Sequence, residues 1–234
     1  MKPTVILLSF DGFRHDYIKR ENLQNFAKLA TNGVYSNRGL QSAFVTKTFP
    51  NHFTIVTGLY EESHGIVANN MYDPVYEEKF FPGKGSLDQK WWNATIPIWI
   101  ENEIGKRTKV EKRPVLERSK PRKSATIFWP GSFVPYRNHR QYYNKHPYDD
   151  HYPSKKRFDA VVDLLLEEDP VNFIACYFTE PDSTSHDTGT NSPKLTATLK
   201  NLDGLLGQFM DKLKQHNLFD QVSESLPYVP VKLF

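Results

Sequence analysis

Cysteine is almost missing from this chain: Cys176 stands alone among 234 residues. No internal disulfide can form, and its place in the apolar run Ile174-Ala175-Cys176-Tyr177-Phe178 reads as a core thiol. Long apolar stretches are missing too. None approaches the ~18 residues a membrane-spanning helix needs, so no membrane segment is expected. A leader pattern is also lacking: Met1-Lys2-Pro3 runs into Thr4-Val5-Ile6-Leu7-Leu8-Ser9-Phe10, which has no small-residue cleavage site and meets Asp11-Gly12 at once. That segment reads as a buried strand. There is no internal repeat and no low-complexity tract.

An excess of one charge is absent except in one place. Lys106 to Lys123 holds nine Lys/Arg and two Glu, so the net +3 of the chain hides +7 in this stretch and −4 in the remainder. Without interleaved aromatics the stretch reads as a solvated insertion, and no nucleic-acid partner is expected. Asn93-Ala94-Thr95 is a glycosylation sequon, a pattern that arises often by chance.

What is present is the composition of a globular chain, 38% hydrophobic and 14% aromatic. Leu23, Phe26, Ala27, Leu29 and Ala30 repeat at helical spacing until Asn32-Gly33. Val34 to Leu40 reads as a short strand, and Asn69 to Pro74 and Pro82 to Ser86 read as loop. Ile96 to Ile104 reads as a helix with Pro97 in its first turn, and Ala125 to Trp129 as a strand. Pro135 to Tyr152 has no period and reads as loop. Phe158, Val161, Val162, Leu165 and Leu166 mark an amphipathic helix, Val171 to Phe178 a third apolar strand, and Leu195, Leu199, Leu202, Leu206, Met210 and Leu213 a long helical stripe. Apolar strands separated by helices predict an α/β fold, a largely parallel sheet with helices on both faces. Ligands of such sheets bind at the carboxyl ends of the strands.

Chemistry-bearing residues collect at those ends. Asp11 closes the first strand, and Asp182 follows the strand ending at Phe178. Either is also a common helix cap. Asp182 and His186, four apart, can converge on one divalent metal, and O/N ligands of this kind suit zinc. Thr48, with Pro50 two residues on, predicts a helix N-cap beside free backbone N–H groups. It reads as a capping hydroxyl or as part of an anion site. His52 and His64 read as structural, hydrogen-bonding histidines, and Glu61 and Glu62 as a solvated helix end.

With these pieces in order, the sequence resembles the ectonucleotide pyrophosphatase/phosphodiesterase family, a branch of the alkaline phosphatase superfamily. The resemblance is carried by Leu8-Ser9-Phe10-Asp11-Gly12-Phe13-Arg14, Thr46-Lys47-Thr48-Phe49-Pro50-Asn51-His52, Thr57 to Ile66, Asn69-Asn70-Met71-Tyr72-Asp73, Phe128-Trp129-Pro130-Gly131-Ser132 and Glu180-Pro181-Asp182-Ser183. It implies an alkaline-phosphatase-like fold and zinc-dependent hydrolysis of phosphodiester or pyrophosphate bonds through a phospho-threonine. In that scheme Thr48 is the nucleophile. Asp11 and Thr48 hold one of two zinc ions, and Asp182 and His186 the other. Asn69 hydrogen-bonds the phosphoryl oxygen, Phe49 forms one wall of the substrate slot, and Tyr142 or Tyr143 supplies the facing aromatic. The implied partner is a small phosphodiester or nucleotide, and the implied setting is extracellular or cell-surface.

The sequence departs from the family pattern in two stretches. About 108 to 122 is extra sequence, expected to loop out. Beyond Val222, where the family continues into a strand with a Ser-Asp-His-Gly motif and a later zinc-binding His, a divergent tail runs over 223–234. Residues 1–222 thus read as the N-terminal part of a catalytic domain, missing its C-terminal strands and leaving both zinc sites incomplete. A catalytically inactive relative acting as a binding or regulatory protein is the alternative.

Overall fold

The computed structural model describes residues 4–104, 122–145, 149, 151–219 and 232–233. The first half of the chain runs β1 (Val5–Phe10), α1 (Tyr17–Arg20), α2 (Gln24–Asn32), α3 (Thr48–Thr57), α4 (Glu61–His64), β2 (Met71–Asp73), β3 (Glu78–Phe80) and α5 (Ile98–Ile104). It continues through β4 (Ser124–Ile127), β5 (Tyr143–Lys145), α6 (Ser154–Leu165), β6 (Phe173–Phe178), α7 (Asp182–Thr188), α8 (Pro193–Gln215) and β7 (Lys232–Leu233).

Five strands form a sheet in the order β5-β4-β6-β1-β7, every neighbouring pair parallel. The central strands β1 and β6 are the most apolar, as a sheet covered on both sides requires. Their register sets Phe10 beside Phe178 and, one residue back on the opposite face, Ser9 beside Tyr177. On the first face Phe10 and Phe178 stack at 4.7 Å and meet Phe26 of α2 and Phe158 of α6. Phe209 of α8 closes that layer against Phe158 at 5.0 Å. On the second face the His52 ring of α3 stands edge-on to Tyr177 at 5.0 Å and to Trp129 at 5.3 Å. The parallel sheet between two helical layers is therefore as predicted.

The stripe from Leu195 to Leu213 is buried along α8. Ser192 caps the helix by accepting from the Leu195 N–H at 3.1 Å, with Pro193 in the first turn, where its missing N–H costs nothing. Asp203, midway along α8, accepts from the N–H groups of Asn25 and Phe26 at 2.9 Å each. It thereby satisfies donors that the start of α2 would otherwise leave unpaired. Cys176 is buried in β6, and burial pushes its thiol up to about 12, so it is inert as a nucleophile near neutral pH.

Several sequence expectations need correction. Val34 to Leu40 is not a strand but an exposed loop, because Ser36 and Gly39 bond to each other across a turn. Neither Asn69 to Pro74 nor Pro82 to Ser86 is all loop: β2 lies in the first and pairs with β3 as an antiparallel hairpin, and Gly83–Ser86 in the second is a 3-10 turn. The aperiodic stretch after Pro135 contains β5, whose three residues have no room for a periodic signal and are held by pairing with β4. β4 stops at Ile127, since Phe128 takes a left-handed φ of 56°. Leu166 caps α6 and is exposed instead of joining its apolar face. Glu61 is buried because α4 folds against α3, while Glu62 is solvated as expected. Of the insertion at 108–122 all but Arg122 lies outside the described residues, and so does most of the tail. From that tail, Lys232–Leu233 runs parallel to β1 beside Ser9 and Phe10.

His64 behaves as a structural residue. It accepts from the Ile66 N–H on Nδ1 at 3.1 Å, which leaves Nε2 to donate to Thr54 Oγ1 at 2.9 Å. Burial pushes the imidazole down from 6.5 to about 4. Unfolding between those values takes up a proton, so this residue's contribution to stability is complete above pH 6.5 and shrinks as pH falls toward 4. At most roughly 3 kcal/mol is involved. Denaturant titrations at pH 7 and pH 4.5 are expected to show a smaller loss of stability on acidification for His64→Gln than for the wild type. Equal losses would remove His64 from the acid response.

Candidate active site

Asp11 follows β1 directly, and its backbone N–H bonds the Phe178 carbonyl at 2.9 Å. Asp182 opens α7 just beyond β6, and its own N–H bonds the Asp11 carbonyl at 2.9 Å. The two acids thus meet at the carboxyl ends of the adjacent central strands, as predicted for a ligand edge. What lets them approach is Gly12. Its φ is +68°, and a Cβ placed there would sit 2.7 Å from the Asp182 Cα.

Thr48 lies across from them at the start of α3. The N-cap is Lys47, not Thr48, because the Lys47 carbonyl accepts the first helical hydrogen bond, from the Asn51 N–H. Thr48 is the first helical residue, and its hydroxyl is aimed at a carboxylate instead of capping the helix: Oγ1 donates to Asp11 Oδ2 at 3.1 Å. The incoming loop is fastened by Asn51, which accepts from the Ala43 N–H and donates to the Val45 and Lys47 carbonyls. Asp11 Oδ2 also accepts from the Tyr177 hydroxyl at 2.7 Å, and Oδ1 from the Gly12 N–H at 3.0 Å.

These groups border a cavity of about 500 Å³ lined by Asp11, Thr48, Phe49, Asn69, Tyr177 and Asp182 among others. Phe49 forms a wall, braced edge-on by Phe80 at 5.6 Å and at a tilt by Trp92 at 6.0 Å. Asn69 is oriented through its side-chain oxygen, which accepts from the Phe49 N–H at 2.9 Å. The amide N–H₂ is then the group Asn69 has left to offer the cavity.

Asp182 is held above the usual carboxylate range, first by burial and next by the Asp11 charge, with His186 and Lys47 acting in the opposite direction. His186 Nε2 lies 3.5 Å from Asp182 Oδ2 and is largely exposed. Two crowded carboxylates, a hydroxyl and an imidazole are donor types that fit a divalent cation, whose charge offsets the repulsion between the acids. The donors come as pairs: among the described residues no three His, Cys, Asp or Glu side chains gather around one point.

Residues 5–223 match the family described as type I phosphodiesterase / nucleotide pyrophosphatase. The chain belongs to this family. It is 39% identical over 223 residues to the mouse bis(5'-adenosyl)-triphosphatase enpp4, a match covering 94% of this chain and 45% of that protein. It is 31% identical over 221 residues to human ectonucleotide pyrophosphatase/phosphodiesterase family member 5, covering 94% of this chain and 43% of that one. Among solved structures, murine ectonucleotide pyrophosphatase/phosphodiesterase 5, in an inactive threonine-to-alanine form in complex with AMP, aligns with a TM-score of 0.81. That alignment has 33% sequence identity and covers 93% of this chain and 54% of the other. The chain spans about half the length of the relatives it matches.

Within this member of the family, Asp11, Thr48, Phe49, Asn69 and Asp182 are brought to one cavity. His186 stands one helical turn beyond Asp182 and is not part of the lining. Tyr142 and Tyr143 do not line the cavity either. Tyr142 is directed outward, its hydroxyl donating to Glu167 and its ring under Lys123, and Tyr143 packs against the core within β5. The aromatic rings that do line it besides Phe49 and Tyr177 are Phe128 and Phe133. Phe128 lies in a motif that carries the resemblance, which was the available signal, although the sequence placed it inside the strand that the structure ends at Ile127. The role of Tyr177 had no sequence signal, since a tyrosine within an apolar strand reads as core.

Proposed function

We propose that this protein hydrolyses phosphodiester or pyrophosphate bonds of nucleotides or related small phosphodiesters, with Thr48 as nucleophile. The observation that carries the reading is the Thr48 hydroxyl, set 3.1 Å from Asp11 Oδ2 at a helix start that borders the cavity. A threonine hydroxyl is a poor nucleophile near neutral pH unless its proton is drawn away. Here Asp11 Oδ2 already accepts that proton's hydrogen bond. Attack by Thr48 Oγ1 on phosphorus forms a phospho-threonine and releases one alcohol or phosphate. Water then cleaves the Thr48 ester and regenerates the hydroxyl. The Asn69 amide N–H₂ offers donors to the phosphoryl oxygens, whereas at the start of α3 the Phe49 N–H is taken by Asn69, Pro50 has none, and the Asn51 N–H bonds Lys47. Phe49, Phe128 and Phe133 supply apolar and stacking surface for a base or other leaving group.

Two zinc ions are the cofactors that fit the donor set. Asp11 and Thr48 would hold one, Asp182 and His186 the other, and when bound they would stabilise negative charge on the attacking and leaving oxygens. The relatives' names, which specify nucleotide pyrophosphatase and bis(5'-adenosyl)-triphosphatase activities, support a nucleotide substrate, as does the AMP bound to murine member 5. The inactive threonine-to-alanine form of that neighbour supports a threonine as the reacting group. Among the described residues no helix is long and apolar enough to cross a membrane, and the extracellular setting rests on the ectoenzyme names of the relatives.

The test is hydrolysis of p-nitrophenyl thymidine 5'-phosphate by the purified chain with zinc in saturating excess, because two protein donors per ion hold it weakly. Turnover that a chelator removes and zinc restores is the expected result. No turnover under those conditions, or turnover indifferent to chelation, would overturn the reading.

A further inference from the structure

Four hydrogen bonds and one ring contact close a circuit around the proposed nucleophile. Ser9 and Tyr177 are register partners on β1 and β6, facing α3. From Ser9 the circuit passes to His52 Nε2 at 2.8 Å. It continues from His52 Nδ1 to the Thr48 carbonyl at 2.7 Å, and from Thr48 Oγ1 to Asp11 Oδ2 at 3.1 Å. Tyr177 completes it with a 2.7 Å bond to the same Asp11 oxygen and an edge contact of 5.0 Å with the His52 ring.

The chemistry of the partners assigns the protons. A carbonyl oxygen only accepts, so His52 Nδ1 carries hydrogen and donates to Thr48. In that tautomer Nε2 accepts from the Ser9 hydroxyl. Tyr177 and Thr48 both donate to Asp11 Oδ2. Ser9, His52 and Tyr177 are all nearly fully buried, at 0%, 1% and 6% exposure, so bonds lost from this circuit are not readily replaced by water.

We infer that Tyr177, His52 and Ser9 are positioning residues for Thr48, a role that rests on the phosphodiesterase reading. His52 fixes the backbone of the nucleophile from one side, and Tyr177 fixes the carboxylate oxygen that the hydroxyl faces from the other. Two rotations are thereby removed, the swing of the helix start and the turn of the Asp11 carboxylate. Each would carry Oγ1 away from its line of attack. A misplacement on the order of 1 Å is enough to cost about a hundredfold in rate. Tyr177 lines the cavity, and Tyr177→Phe keeps that ring while deleting only the hydroxyl bound to Asp11, so substrate affinity is left largely untouched.

Two measurements test this. The first is independent of activity: imidazole ¹⁵N shifts of His52 are expected to show hydrogen on Nδ1 and a bare Nε2, and a ring with hydrogen on Nε2 overturns the circuit. The second compares Tyr177→Phe, Ser9→Ala, His52→Ala and His52→Asn on p-nitrophenyl thymidine 5'-phosphate, normalised to the folded fraction. Tyr177→Phe is expected to lower kcat by roughly tenfold to a hundredfold with KM within about twofold, the range of a lost hydrogen bond to a charged group. His52→Asn, which can place an amide N–H near Nδ1, is expected to keep more activity than His52→Ala. A kcat per folded molecule that is unchanged in Tyr177→Phe overturns the inference, as does a KM rise at constant kcat, which would make the Tyr177 hydroxyl a substrate contact. A wild-type chain without turnover overturns the functional reading, and with it the catalytic half of this one, whatever the tautomer shows.

Discussion

Thr48→Ala is expected to lower phosphodiester turnover by at least about a thousandfold while leaving the fold in place, because it deletes the hydroxyl proposed as the nucleophile. Among the described residues the hydroxyl makes one hydrogen bond, to Asp11, at the first position of α3, and removing it leaves the capping bond from Asn51 to Lys47 intact. The stability change is therefore expected to stay within about 1 kcal/mol. Thr46→Ala is the control. Its hydroxyl bonds Ser42 Oγ at 2.8 Å, exposed and away from the cavity lining, so its loss should barely alter the rate. Thr48→Ser retains a hydroxyl and should keep measurable turnover. Mass spectrometry of acid-quenched wild type should find a phosphoryl group on Thr48 and none on Thr48→Ala. Comparable turnover by Thr48→Ala and wild type would remove Thr48 from the chemistry.

The second large effect concerns the fold itself. Gly12→Ala is expected to destabilise the protein by roughly 3 kcal/mol or more and to disrupt the site. One part is intrinsic: a left-handed φ costs an alanine about 1–2 kcal/mol. The other part is the collision of the new methyl with the Asp182 backbone at 2.7 Å, which no rotamer can relieve. Gly58 separates the two parts. It has a φ of +70° at the end of α3, and a Cβ there would meet nothing within 4 Å. Gly58→Ala should therefore show the conformational cost alone. Chemical denaturation of both variants gives the comparison, and equal losses would show that the Asp11–Asp182 approach does not depend on Gly12.

Much of this molecule could be read from residue order. The apolar runs at Val5–Phe10 and Phe173–Phe178 and the stripe from Leu195 to Leu213 carry their own periodicities. Burial of that much apolar surface leaves few arrangements besides a parallel sheet between helices. Asp11 and Asp182, which meet at the cavity, were legible as candidates because each falls where such a strand ends. Short elements were not legible. β2, β3 and β5 have three residues each and are held by pairing with a neighbour, so nothing in their own sequence distinguishes them from loop. Solvent-facing charge at Glu61 was equally misleading, since the packing of α4 against α3 decides which side of a four-residue helix faces inward.

The sequence by itself thus determined the fold class and the family and singled out Thr48, Asp11 and Asp182 as candidates, because periodicity and motif spacing are local properties. Tertiary structure alone decided how those groups stand toward one another. The register of β1 with β6 sets Ser9 beside Tyr177, the missing side chain of Gly12 admits Asp182, and the rings lining the cavity besides Phe49 are Tyr177, Phe128 and Phe133, not Tyr142 or Tyr143. Each of these is a contact between residues far apart in the chain, and no local pattern records which distant partner a side chain will meet.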